Sequence, residues 1–235
     1  MQLSSAEAGV ADRGDTGLGA AQIGLGARLA SQLGAKLRLF AGLTVGICVP
    51  YFGLQRAPLG APFTPPATAL DAMIPFAPGW VWTYASLFAL VPLSALLSTT
   101  RHEVRAFGRA LLWLCVPSFA FFALFPSAGP RPAEAMHAAE LGWLVAVDTP
   151  GNAFPSLHAG LTVLCLLHAR RVCGAQLASA ARRALWDAAS LAWGGAIAFA
   201  ALASKQHWAV DLVAGGLLGA AAHALAFARS RRTLS

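Results

Sequence analysis

The chain has 235 residues, of which 57% are apolar types and only 11% charged, with a formal net charge of +7. A soluble domain carries about 25% charged residues, so this composition excludes an ordinary soluble enzyme. The four cysteines, with no CxxC spacing, exclude a disulfide scaffold. Uncharged intervals of 17 or more residues recur, and about 17 to 25 apolar residues suffice for a helix to cross a ~30 Å hydrocarbon layer. The expected class is all-α: a polytopic membrane protein with six transmembrane helices in a bundle.

In chain order, residues 1–36 are rich in Gly, Ala and Ser, carry scattered charges and lack an apolar leader core, which predicts a mobile or interfacial N-terminal tail. Residues 37–228 form the membrane domain. Its first span lies between Arg38 and Arg56, its second follows Pro78 and ends before Arg101, and its third runs from Arg109 toward Pro126. The fourth runs from Ser156 to Ala169, the fifth lies between Asp187 and Lys205, and the sixth between Asp211 and Arg229. Residues 229–235 make a basic C-terminal tail.

Six spans put fourteen of the 17 Lys and Arg residues on the side of the two tails; the opposite side holds Arg56, Arg131 and Lys205. Lys and Arg are retained on the cytoplasmic face, so both termini are expected in the cytoplasm and the long loops on the exoplasmic side of a bacterial inner or plasma membrane. The same asymmetry accounts for the basic charge without nucleic acid, and no protein partner is implied. The exoplasmic loops are the long ones. One, from Arg56 to Pro78, holds six prolines; the other, from Ser127 to Pro155, contains the apolar stretch Leu141–Val147, too short to span and expected to lie over whatever is beneath it.

Three segments at that face carry chemistry. In Ala203-Ser-Lys-Gln-His-Trp-Ala-Val-Asp211, His207 and Asp211 are four apart and are expected on one face at the start of the sixth helix. A carboxylate accepting one imidazole N–H leaves the other ring nitrogen basic, as a histidine nucleophile requires; a structural pair closing the helix end fits the spacing equally. In Asn152-Ala-Phe-Pro-Ser-Leu-His158, Ser156 is placed as the cap of the fourth helix, whose first turn carries His158 and offers backbone N–H groups to an anion. In Phe125-Pro-Ser-Ala-Gly-Pro-Arg-Pro132, Arg131 brings a guanidinium suited to phosphate. The convergence of these groups suits phosphoryl transfer through a phosphohistidine.

With these motifs the chain resembles the type 2 phosphatidic acid phosphatase (PAP2) superfamily of six-helix membrane enzymes. Leu70-Asp-Ala-Met-Ile-Pro-Phe76 and Asn152-Ala-Phe-Pro-Ser-Leu-His158 are more similar to the branch containing inositol phosphorylceramide synthases. The resemblance implies that His207 attacks phosphorus, Asp211 orients it, and His158 protonates the leaving oxygen. It implies that Arg131, Lys205 and Ser156 hold the phosphoryl oxygens, that the substrate is a lipid phosphate or phospholipid, and that no metal or cofactor is needed. Asp71, Asn152 and His137 are headgroup candidates, with Asp71 also able to cap a short helix. Leu124, Ala201 and Leu157 stand where the phosphatase pattern has Lys, Arg and Gly, which favours a singly charged phosphodiester or a phosphotransferase. Other readings of the same residues are an intramembrane serine protease using Ser156 and His207, a non-catalytic carrier, or a metal site using His158, His207 and Asp211. Gly215-x-x-x-Gly219 is expected to allow close helix packing.

Overall fold

The structure, a computed structural model, describes residues 24–174, 177 and 179–232. It is all-helical, with no strand among the described residues. Most of the N-terminal tail expected from the sequence lies outside them. Residues Leu25–Ala30 form a short helix, and the first long helix begins at Leu33, four residues before the expected boundary. This end is anchored. The Arg28 guanidinium donates to the Leu97 carbonyl at 2.9 Å, and the buried Lys36 Nζ donates to the carbonyls of Arg28 and Leu96 at 2.6 and 2.7 Å.

Five helices among the described residues are long and apolar enough to cross a membrane: α1 (Leu33–Arg56), α2 (Pro78–Leu96), α3 (Arg101–Leu124), the helix Ala180–Ala203, and the last helix as far as Ala228. The chain is an integral membrane protein. The segment expected as the fourth span is an 18-residue helix, α4 (Leu157–Gly174), followed by α5 (Ala180–Ala203) and α6 (Ala209–Arg232). Helix α4 packs against α2, α3, α5 and α6. Its polar residues His158, Thr162 and His168 are buried by protein. Expected boundaries shift where caps lie outside the apolar window. Thr100 and Glu103 cap α3 eight residues before Arg109, and Ser179 caps α5 before Asp187. Helix α6 continues four residues into the expected basic tail.

Prolines set the irregularities. A π-helical turn, Thr44–Cys48, ends two residues before Pro50 in α1, because proline lacks an N–H and its ring clashes with the carbonyl four residues back. Helix α2 is interrupted at Ser86, within two turns of Pro92. The interruption lies beside Tyr84, whose carbonyl becomes important below.

The closest approach in the bundle is between α4 and α6. A Cβ on Gly215 would collide with the Ser156 carbonyl and one on Gly219 with the Gly160 carbonyl, while one on Gly160 would meet the Gly215 oxygen at 3.0 Å. The glycine pair singled out in the sequence is therefore a backbone-to-backbone contact. It holds the start of α4 against the start of α6.

The two long loops expected on the exoplasmic side are ordered against each other. Phe63 N–H donates to the Pro126 carbonyl, Ala128 N–H to the Phe63 carbonyl, and Gly129 N–H to the Pro150 carbonyl, at 2.7 to 2.9 Å. The stretch Leu141–Val147 lies over the bundle as a short helix from Gly142, burying Leu141 and Leu144 against Val81, Tyr84, Ala200 and Ala201.

Gly219→Ala is expected to lower stability by about 1 to 3 kcal/mol through overpacking, read as a drop in thermal midpoint in detergent. Gly216→Ala, whose Cβ would meet Val163 at an ordinary 3.6 Å, should leave the midpoint within experimental error. Equal midpoints for both variants would refute the close-contact role.

Candidate active site

The three motif segments meet. Ser156 N–H donates to the Asp211 carbonyl at 3.0 Å, the Trp208 indole N–H to the Ala128 carbonyl at 3.2 Å, and Arg131 Nε to the Gln206 side-chain oxygen at 2.9 Å. Gly129 is pressed so closely on the Gln206 carbonyl that a Cβ would lie 2.8 Å from it. Each bond joins two different segments, so their mutual positions are determined by backbone groups and not by flexible side chains alone.

Near the start of α6 the geometry differs from the spacing argument. The helix begins at Ala209, so His207 lies in the preceding turn and does not share a helical face with Asp211. The Asp211 carboxylate caps the helix, its Oδ2 accepting from Trp208 N–H at 2.8 Å. His207 Nδ1 is 3.6 Å from that same oxygen and 3.2 Å from the Ala153 carbonyl. The hydrogen bond is to the carbonyl, with the carboxylate beside it. A carbonyl only accepts, so Nδ1 carries the proton and Nε2 keeps its lone pair.

His158 is held in the same manner. Its Nε2 lies 2.8 Å from the Tyr84 carbonyl, at the interrupted part of α2, so this nitrogen carries a proton. The imidazole stacks on the Tyr84 ring with centroids 3.7 Å apart and planes within 10°. The same tyrosine ring lies 6.4 Å from that of His207.

Both histidines line one cavity of about 160 Å³, together with Tyr51, Tyr84, Asp148 and Asn152, the rest of the wall being mainly apolar. A second, apolar groove of about 410 Å³ starts at His158 and runs between α4 and α5 to the ion pair of Arg170 with Asp187. Gly194 and Gly195 help to open it. Among the described residues no group of three or more His, Cys, Asp or Glu side chains is arranged to hold a metal ion.

The other residues singled out from the sequence divide. Asn152 lines the cavity, with a left-handed backbone (φ 62°) and its amide donating to the Tyr51 carbonyl. Ser156 caps α4, its Oγ accepting from Ala159 N–H at 3.2 Å; it is fully buried and outside the cavity wall. Lys205 is also outside that wall. It occupies the left-handed position (φ 53°) that closes α5, with Gln206 N–H donating to the Ala201 carbonyl. Its Nζ donates to the Asp71 and Ile74 carbonyls at 3.0 and 2.6 Å. Those two carbonyls engage two of the three ammonium protons. His137 is exposed and lies outside the cavity wall.

Asp71 caps twice. One carboxylate oxygen accepts from Thr68 N–H at 2.7 Å, the other from Ala209 N–H, the first residue of α6, at 2.8 Å. Residues not singled out are Tyr51, Tyr84, Gln55 and Gln206. The signal for the tyrosines was their rarity: the chain has 13 Phe but two Tyr, and both face the cavity.

A sequence profile of the PAP2 superfamily matches residues 59–225, which includes all three motif segments. The chain belongs to the PAP2 superfamily. Membership points to phosphatase or phosphotransferase chemistry on a lipid phosphate. No curated protein and no solved structure matches the chain.

Burial alone would raise the Asp71 carboxyl, but the Thr68 and Ala209 hydrogen bonds and the nearby Lys205 charge outweigh it and hold its pKa below the ordinary 3.8. A depressed folded-state pKa stabilises the fold above the unfolded value and loses that contribution as pH falls through the lower folded value. Asp71→Asn should therefore lower the thermal midpoint at neutral pH, by about 1 kcal/mol of capping. The gap to the unaltered protein should close below about pH 4 as the native carboxyl protonates. A gap independent of pH would contradict this assignment.

Proposed function

We propose that this PAP2 protein cleaves a phosphoester of a lipid-linked substrate by double displacement through His207. The observation that carries the reading is the single cavity shared by two imidazoles, with the His207 Nδ1 proton committed to a backbone carbonyl and Nε2 left as a lone pair. In the first step Nε2 attacks phosphorus, the bond from phosphorus to the leaving oxygen breaks, and His158, protonated on both nitrogens, gives the leaving oxygen its Nδ1 proton. In the second step the oxygen of water or an alcohol attacks the phosphohistidine and gives its proton back to His158. Asp211, 3.6 Å from Nδ1, stabilises the charge that develops on the His207 ring. This chemistry requires neither a metal nor a cofactor.

A lipid substrate fits the apolar groove beginning at His158, which would take a hydrocarbon chain while the phosphoryl group lies in the cavity. With α4 counted beside the five apolar helices the spans number six, both termini are cytoplasmic and the cavity faces the exoplasmic side, in keeping with the distribution of Lys and Arg. The mainly apolar cavity wall disfavours free water and favours a transferase: a lipid hydroxyl resolving the phosphoenzyme, as in the inositol phosphorylceramide synthase-like branch. Ser156 is a poor nucleophile for the protease reading, because its hydroxyl caps α4 outside the cavity.

Purified protein incubated with phosphorus-labelled phosphatidate and phosphatidylinositol should acquire an acid-labile, base-stable label that maps to His207. His207→Ala should lose the label and at least about 10⁴-fold in turnover, and His158→Ala about 10² to 10⁴-fold. Label on Ser156, or none on any residue, would end this reading. Adding diacylglycerol separates the two outcomes: transfer of label to the alcohol marks the transferase, release of free phosphate the hydrolase.

A further inference from the structure

Asp148 is the one residue of fixed charge in the cavity wall among the described residues, and Arg131 is not part of that wall. The arginine stands behind it. Arg131 NH2 donates to Asp148 Oδ2 at 2.8 Å and NH1 to the Asp148 backbone carbonyl, while Nε is taken by Gln206. The second carboxylate oxygen is also bound, accepting from the Tyr51 hydroxyl at 3.2 Å and from Gln55 Nε2 at 2.5 Å. Gln55 is further bonded to the Thr149 and Gly151 carbonyls. The ion pair is nearly enclosed, the Arg131 and Asp148 side chains being 6% and 13% exposed.

We propose that Asp148 is the specificity residue by which this site discriminates anionic groups by their charge; the proposal rests on the reading of the cavity as the phosphoryl site. An incoming phosphoryl group meets an arginine already neutralised by a carboxylate. If it draws Arg131 away, it strands a buried carboxylate on two neutral donors. If it binds beside the pair, it is repelled by Asp148 in proportion to its own charge. The first cost is the same for every anion, whereas the repulsion by Asp148 grows with the anion's charge and so falls harder on a dianion than on a monoanion. Lys205 lies outside the cavity wall, with its ammonium on the Asp71 and Ile74 carbonyls. Asp148 also ends the short helix Gly142–Val147 that covers the cavity, so the residue that reads charge is attached to the cover.

The test is calorimetric titration of the full chain in detergent at about pH 8, where inorganic phosphate is dianionic, against dimethyl phosphate, a permanent monoanion. The unaltered protein should bind dimethyl phosphate about tenfold or more tighter than inorganic phosphate, and Asp148→Asn should raise phosphate affinity by about tenfold while changing dimethyl phosphate less. If Asp148→Asn does not fold, Asp148→Ser removes the same charge and is read in the same way. An unchanged ratio of the two affinities, a preference of the unaltered protein for the dianion, or no binding of dimethyl phosphate overturns the proposal. Arg131→Gln separates the two levels of the argument: both anions binding it as tightly as the unaltered protein would show that the anion site lies elsewhere and that the reading of the cavity fails.

Discussion

The site depends on the contact between the backbone of α4 at Ser156 and Gly160 and the backbone of α6 at Gly215 and Gly219. Side chains between two helices normally keep their axes about 8 to 10 Å apart. Glycine on both sides removes that spacer, and in a lipid environment close van der Waals contact, not hydrophobic exclusion, holds helices together. Because His158 lies in the first turn of α4 and His207 just before α6, closing these two helix starts also closes the distance between the imidazoles. The Ser156 N–H to Asp211 carbonyl bond fixes the register of that contact.

Around this contact, polar groups in an apolar bundle are satisfied largely by carbonyls that irregular backbone makes available. The Tyr84 carbonyl receives His158 at the interrupted part of α2, the Ala153 carbonyl receives His207, and the Asp71 and Ile74 carbonyls receive Lys205. A carbonyl determines a histidine tautomer without adding charge, and in low dielectric an added carboxylate would carry a desolvation cost. The two carboxylates nearest the chemistry are accordingly occupied elsewhere as well, Asp211 by the Trp208 N–H and Asp148 by Arg131. The irregular loops, with their prolines and left-handed residues, thus supply acceptors that a regular helix cannot.

Much of the site was legible as residue identity and rather less as role. Six histidines are present, and the pair chosen from them, His158 and His207, does share a cavity. Arg131 was chosen as a cation of the same face, yet it reaches the cavity only through Asp148. Lys205 and Ser156 were legible as polar residues in the right segments; the structure adds that they close α5 and cap α4. The spacing of His207 and Asp211 suggested a shared helical face, and the cap at Trp208 moved the helix start past His207. Tyr51 and Tyr84 belong to the first and second long helices, far from any motif, and only packing brings them to the histidines.

Composition, the spacing of charges and the glycine pattern by themselves determined the membrane class, the helical order, the three chemical segments and one small-residue face for close packing. These are local properties: an apolar interval, a cap or a small residue acts through its immediate neighbours in the chain. The partner of each polar atom was decided only in three dimensions, because an ammonium, a carboxylate or an imidazole N–H bonds whichever acceptor or donor the fold brings within about 3 Å. In this protein those partners are mostly backbone groups from distant segments, which no residue type announces.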